Sequence, residues 1–266
     1  MTNYYTSPSK PSSDGMDPMI IGIILLIAGI VFFFLGFKWL GQKKLIEGTP
    51  TSKARSIAMG PVEVYGQVEP VPGILLKSPV TNKDCVYYRF TIEEYRRGKK
   101  SSHWVVIKAG QKAVEFFLKD ETGKVLIDSN GAEVDIPSDY QIQSRGFLPK
   151  DLPASAQNFL NANGISQKDF LGFNKELRLT EYIIVPTDWL YIMGNAGDNP
   201  YVEEGESAQS SADIMIQKGG PMFYISDKSE KELLKSLSFK SKAGIIGGTL
   251  AILGGLAIIF LYLRVF

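Results

Sequence analysis

The sequence predicts a mainly β (α+β) soluble domain, built as a small, partly open OB-like barrel with a helical insert and flanked by two transmembrane helices. Three observations carry that prediction. Two long uncharged runs lie near the chain ends, short stretches of period-two alternation separated by turn residues fill the middle, and a helical piece interrupts the later strands. A β-sandwich is the alternative arrangement of the same strands.

The first 18 residues are polar and rich in Ser and Pro, and they read as a disordered tail. Residues 19–37, MIIGIILLIAGIVFFFLGF, hold no charge, and at about 1.5 Å per residue they match the ~30 Å hydrocarbon core of a bilayer. The first transmembrane helix is placed at 19–40 and the second at 243–263. A cleaved signal peptide competes for the first run, but its leader carries Lys10 as its one base and sets Asp14 and Asp17 beside the apolar stretch, the wrong charge order. Lys38, Lys43, Lys44, Lys53 and Arg55 follow the first helix, and Lys228, Lys231, Lys235, Lys240 and Lys242 precede the second. The positive-inside bias therefore puts the middle of the chain in the cytoplasm and both termini outside, with the cell membrane as the expected location.

Small residues mark one face of each helix. Gly22, Gly29 and Gly36 recur every seven residues, while Gly247, Ala251 and Gly255 recur every four, with Gly244 and Gly248 as a further GxxxG. Such faces let backbones approach closely, so the helices are expected to pack on each other or on those of a second copy, giving a homo-oligomer.

After a basic linker at 41–57, residues 58–238 form the β-rich domain. PVEVYGQVEPV alternates as a strand with a glycine at its centre, where barrels bend. In CVYYRFTIEEY, Val86, Tyr88, Phe90 and Ile92 share one face, and Cys85 falls on the other, less apolar one. RRGKKSSH reads as a hairpin loop before the returning strand WVVIKAG. FFLKDETGKVLI is a second hairpin whose Gly123 is expected to supply a positive φ. Helices are expected near 154–163, closed by Gly164, and near 167–171; further strands follow, and a capping box at Ser229 and Glu232 opens the last helix.

In their order, SPVTNKDCVYYRFTIEE, Trp104, FFLKDETGKVLI, LRLTEYIIVPTDWLYIMGNA and FYISDKSEKELLKSL, bracketed by two membrane helices, resemble the GIDE domain. That domain belongs to membrane-embedded E3 ubiquitin ligases of the mitochondrial ubiquitin ligase activator type, and the likeness to their RING-less prokaryotic relatives is stronger. It spans about residues 19 to 264. In the ligases a RING after the second helix recruits the ubiquitin-charged enzyme, and the domain between the helices contacts partners. A RING needs eight Cys or His zinc ligands, and this sequence holds one Cys and one His. The resemblance therefore implies a binding or scaffolding module rather than an autonomous ligase, with ubiquitin transfer through a separate catalytic subunit as the alternative.

Chemistry inside the chain has few carriers. Cys85 and His103 form the one available Cys-His pair, a weak candidate for a Cys85-dependent enzyme because no orienting group or oxyanion hole accompanies it; a packed strand residue or a redox-sensitive thiol competes. Arg96, Arg97, Lys99 and Lys100 at the hairpin tip are candidates for contact with anionic membrane lipid. Glu181 with Asp188 or Glu176 is a loose carboxylate pairing, and Glu203, Glu204 and Glu206 lack the spacing of a calcium loop. Neither a cofactor nor a metal is expected. The whole chain carries 29 Lys plus Arg against 28 Asp plus Glu, so no basic groove favours nucleic acid, even though Tyr87, Tyr95 and Trp104 could stack on bases. The expected partners are membrane lipid and an unidentified protein.

Overall fold

The computed structural model describes residues 17–98, 101–144, 152–166, 168, 175–201, 213–220 and 222–265. It separates into two compact units, one made by the long terminal helices and one, Gly48–Glu232, that holds every described strand.

Helix α1 runs over Pro18–Gly48. Proline suits a first helical position, where its missing N–H costs nothing, and Asp17 Oδ1 accepts from the Met19 amide at 2.9 Å. The helix continues past residue 40 through the first part of the expected linker, because nothing stops it there and Lys43 pairs with Glu47 one turn on, at 3.1 Å. It ends where Gly48 leads to Thr49, whose position before Pro50 disfavours helical backbone. The last helix, α3 after the short α2 (Ala154–Ala162), covers Glu230–Val265. The Ser229 hydroxyl and the Glu232 carboxylate cap each other's amides at 3.4 and 3.1 Å, the reciprocal box that the sequence predicts. In each long helix only 17% of the most apolar window is buried, so neither is the core helix of a soluble fold. The chain is a membrane protein.

Within the helical unit the glycines of α1 meet those of α3 in reverse order. A Cβ added to Gly22 would sit 3.2 Å from the Gly255 carbonyl, one on Gly29 would sit 2.9 Å from that of Gly248, and one on Gly36 would come within 2.6 Å of the Ile245 amide. Gly244 returns the contact, with its added Cβ 2.8 Å from Gly36 Cα. Backbone therefore lies on backbone along a seven-residue repeat, the period that keeps one face in line when two helices cross at a shallow left-handed angle. That period also explains a difference from the expected ladder. Gly247 has nothing within 4 Å and is exposed, while Ala251 is half-buried, because a four-residue repeat drifts off the contact line that Gly248 and Gly255 occupy.

The strands are, in chain order, β1 (Gly60–Pro70), β2 (Leu76–Lys77), β3 (Asp84–Cys85), β4 (Tyr87–Arg97), β5 (Ser102–Ala113), β6 (Phe116–Lys119), β7 (Lys124–Ile127), β8 (Glu133–Asp135), β9 (Tyr140–Gln143), β10 (Leu177–Ile184), β11 (Trp189–Asp198), β12 (Ile214–Gln217) and β13 (Tyr224–Ser226). Strands β1, β6, β7, β12 and β11 form a ring, since β1 pairs with β6 on one side and with β11 on the other. The expected barrel is present, and it is closed rather than partly open. The closing seam is the parallel pair of β7 with β12, Leu126 opposite Met215 and Ile127 opposite Ile216. Every second residue points inward, so Val62, Val64 and Val68 meet Phe116, Leu118, Val125, Ile127, Leu190, Ile192 and Ile216 in one core. Gly66 stands where β1 turns from one partner to the other; a Cβ there would lie 2.5 Å from the Lys119 carbonyl oxygen. Strands β13 and β8 extend the sheet beyond β11.

A second, antiparallel sheet has the order β5-β4-β10-β9. Helix α2 packs Ala156 and Leu160 against it, with Phe159 edge-on to Phe90 at 4.9 Å. The helix closes as expected at Gly164, whose φ of +70° admits the amide of Ile165 to the Leu160 carbonyl. Of the helical piece expected at 167–171 only Lys168 is described, and it is not helical; the rest lies outside the described residues. The β6–β7 turn departs from expectation, since Gly123 has no positive φ. Asp120 closes that turn instead, its Oδ1 accepting from the amides of Thr122 at 2.7 Å and Gly123 at 3.1 Å.

The helix pair makes a direct prediction. Gly29→Val or Gly36→Val forces the backbones apart and should cost about 1–3 kcal/mol, seen as a lower thermal midpoint of the detergent-extracted chain. Gly247→Val should leave the midpoint unchanged, and an equal loss from it would refute this pairing.

Candidate binding cleft

Strand β10 passes into β11 through residues 185–188, a turn held by several hydrogen bonds. The Val68 amide donates to the Asp188 carbonyl at 2.8 Å, the Thr187 amide to the Val68 carbonyl at 2.9 Å, and the Gln67 side-chain amide to the Thr187 carbonyl at 3.1 Å. These bonds keep Thr187 at a φ of 82°, a conformation a β-branched residue rarely adopts. The turn thereby fixes the direction of the two side chains that follow its tip. Asp188 Oδ2 accepts the Val185 amide at 2.8 Å, and Trp189 stacks on Tyr65 across the β1–β11 pair, ring centroids 5.3 Å apart.

Beside this turn opens a cleft of about 230 Å³, lined by Ile136, Pro137 and Asp139 from the β8–β9 link, by Ile183, Ile184, Asp188, Trp189 and Leu190, and by Asp227 from the approach to α3. Its lining combines aliphatic side chains with three aspartates, of which Asp139 and Asp227 are exposed and Asp188 half-buried. Asp139 Oδ2 accepts the Ile183 amide at 2.8 Å. Burial, with Asp139 and Asp227 nearby, raises the Asp188 carboxyl above the ordinary aspartate range, against the opposing pull of the Val185 amide. None of the three is joined to a base among the described residues. Trp189, which lines the cleft, and Tyr65 stacked on it remain 49% and 43% exposed, so the pair is open to solvent.

Apart from Asp188, weighed in the sequence as one of a loose carboxylate pair, the sequence-predicted residues fall elsewhere. Cys85 is not on an open face; it is 0% exposed, paired with Leu76 and packed on Ile183. The alternation fails there because the chain at residues 85–87 crosses between the two sheets and is covered on both sides, Val86 and Tyr87 joining the barrel core. Burial pushes the thiol up to about 11, with Glu181 and Asp84 adding to the effect. His103 lies opposite Arg96, eleven residues farther along, so the Cys-His pair never forms. A neutral, enclosed thiol without a base is no nucleophile.

At the hairpin tip, Arg96 pairs with Glu94 and Arg97 with Glu176, while Lys99 and Lys100 lie outside the described residues. The carboxylates expected as a loose pair have separate tasks. Glu176 neutralises Arg97, and Glu181, fully buried, accepts from the Val80 amide at 2.8 Å and the Thr81 hydroxyl at 2.5 Å. Of the aromatics considered for stacking, Tyr87 is buried, Tyr95 leans on Trp104, and the Arg178 guanidinium covers the Trp104 ring at 4.5 Å. Glu203, Glu204 and Glu206 lie outside the described residues. Sequence reasoning misses the cleft, and its one advance signal is Asp188-Trp189 closely following a strand that runs into Val-Pro.

No curated protein and no solved structure matches the chain. The GIDE family, described as E3 Ubiquitin ligase, matches residues 87–260, nearly two thirds of the sequence, and covers β4 through most of α3. With the closed barrel between two apolar helices, that match makes this chain a member of the GIDE family.

Proposed function

We propose that the β-rich domain is a membrane-held binding or scaffolding module, and that the cleft beside Trp189 receives a basic side chain from a protein partner. The observation that carries this reading is a cleft lined by three aspartates with no basic partner among the described residues, next to an exposed aromatic stack. A volume of about 230 Å³ is below the ~300–1,000 Å³ typical of small-molecule sites, and it suits one long side chain. A Lys or Arg entering there lays its aliphatic stem on Ile183 and Leu190, meets the Trp189 face through cation–π attraction, and ends among Asp139, Asp188 and Asp227. Binding of Lys- or Arg-containing peptides to the full chain in nanodiscs should weaken with salt and as pH falls through the raised Asp188 range, where the carboxylate takes up its proton. Asp188→Asn or Trp189→Ala should reduce affinity about five- to tenfold, since each such contact contributes on the order of 1 kcal/mol. Equal retention of neutral and basic peptides would sink the proposal.

The basic flanks of both helices support a cytoplasmic domain with both termini outside, at the cell membrane. A C-terminal reporter active only in the cytoplasm should stay silent, and a signal from it would reverse this orientation. The family description favours a second reading, in which the module serves ubiquitin transfer carried out by a separate zinc-bearing subunit. A zinc protein that stays with the detergent-extracted chain through purification distinguishes that reading, and its absence counts against it.

A further inference from the structure

Glu63 sits in the middle of β1 on the outer side of the barrel wall, yet it is 0% exposed. The segment that follows α1 in the chain lies on it. Thr51 forms an isolated parallel bridge with Glu63, the Ser52 amide donates to the Glu63 carbonyl oxygen at 2.7 Å, and the Thr51 hydroxyl donates to Glu63 Oε1 at 2.8 Å. The other carboxyl oxygen, Oε2, and the Tyr191 hydroxyl are both buried without a hydrogen bond of regular geometry. They are diagonal neighbours across the β1–β11 pair, in which Glu63 stands opposite Met193 and Tyr65 opposite Tyr191.

We propose that Glu63 is a proton-operated latch on the segment entering the domain: neutral, it holds residues 51 and 52 against β1, and ionised, it lets them go. The groups around it are Thr51 from the entering segment, Tyr191 from β11, Glu230 from the first turn of α3 and, beyond Tyr191, Tyr224 from β13. None of these is a base. The two hydroxyls favour a carboxylate, but burial outweighs them and Glu230 adds repulsion, so the carboxyl is raised above the usual glutamate range. A raised acid binds its proton more tightly in the folded chain. Its contribution is therefore complete below the ordinary carboxylate range and is lost as pH rises through the raised value.

Hydrogen exchange of the Ser52 amide, in the full chain in detergent and corrected for the intrinsic pH dependence, reads the latch directly. Protection should fall as pH rises from about 4 to 8, by up to about tenfold per pH unit within the transition. Glu63→Gln, which keeps an acceptor for Thr51 and cannot ionise, should make protection independent of pH. Thr51→Val, which removes a hydroxyl that favours the ionised form, should move the transition to higher pH. The same pH dependence in wild type and Glu63→Gln overturns the latch; should that variant fail to fold, a Thr51→Val transition that is unmoved or shifted to lower pH overturns it as well.

Discussion

The domain depends on one strand being shared. Strand β1 gives residues 60–67 to β11 and residues 67–70 to β6, and only through that double pairing does a run of strands become a ring. Gly66 makes the change of partner possible, because any side chain there meets the Lys119 carbonyl. Once β1 has turned, the alternation along it sends Val62, Val64 and Val68 inward together, and the core assembles around them. The ring also removes the exposed edges that an open sheet of these strands would present to other chains.

Outside the core, carboxylates supply the bonds that strands cannot. Glu181 holds the loop after β2 by its backbone amides, Asp120 reaches from the β6–β7 turn to the Ala54 amide at 2.9 Å, and Asp139 takes the Ile183 amide where β10 runs beyond β9. Each satisfies a donor that would otherwise be stranded at an irregular point of the backbone. The clearest contrast is within the cleft. There Asp139 and Asp188 each spend one oxygen on a backbone amide while their residues line the cleft, so the groups that hold the turn are the same ones the proposed binding would use.

Local pattern makes the membrane helices, most strands, the α2 stop at Gly164 and the Ser229 capping box legible in the sequence, since each depends on residues a few positions apart. What escapes is set by distant chain. The parallel pair of Leu126 with Met215 closes the barrel across nearly ninety residues, and no periodicity announces it. Alternation puts Cys85 on the less apolar face of its strand, but it cannot say that Ile183 of the second sheet packs on the thiol, nor that residues 51 and 52 cover Glu63. Gly247 groups with Gly255 in the sequence because a four-residue ladder is a familiar small-residue pattern; the heptad of α1 decides otherwise. The cleft is invisible for the same reason as the barrel seam, as its lining comes from three separate segments.

The glycine-lined pairing of α1 with α3 has a thermodynamic consequence for the domain strung between them. Residues 48–232 are a loop whose ends are joined by the helix contact, much as a cross-link would join them. Closing a chain of that length removes conformational freedom from its unfolded ensemble, on the order of 5 kcal/mol by the chain-entropy relation used for disulfides. A barrel whose first and penultimate ring strands must find each other across such a distance thus begins folding with part of that search already complete. A chain with a single cysteine obtains from two apolar helices the restraint that secreted domains of similar size take from covalent bridges.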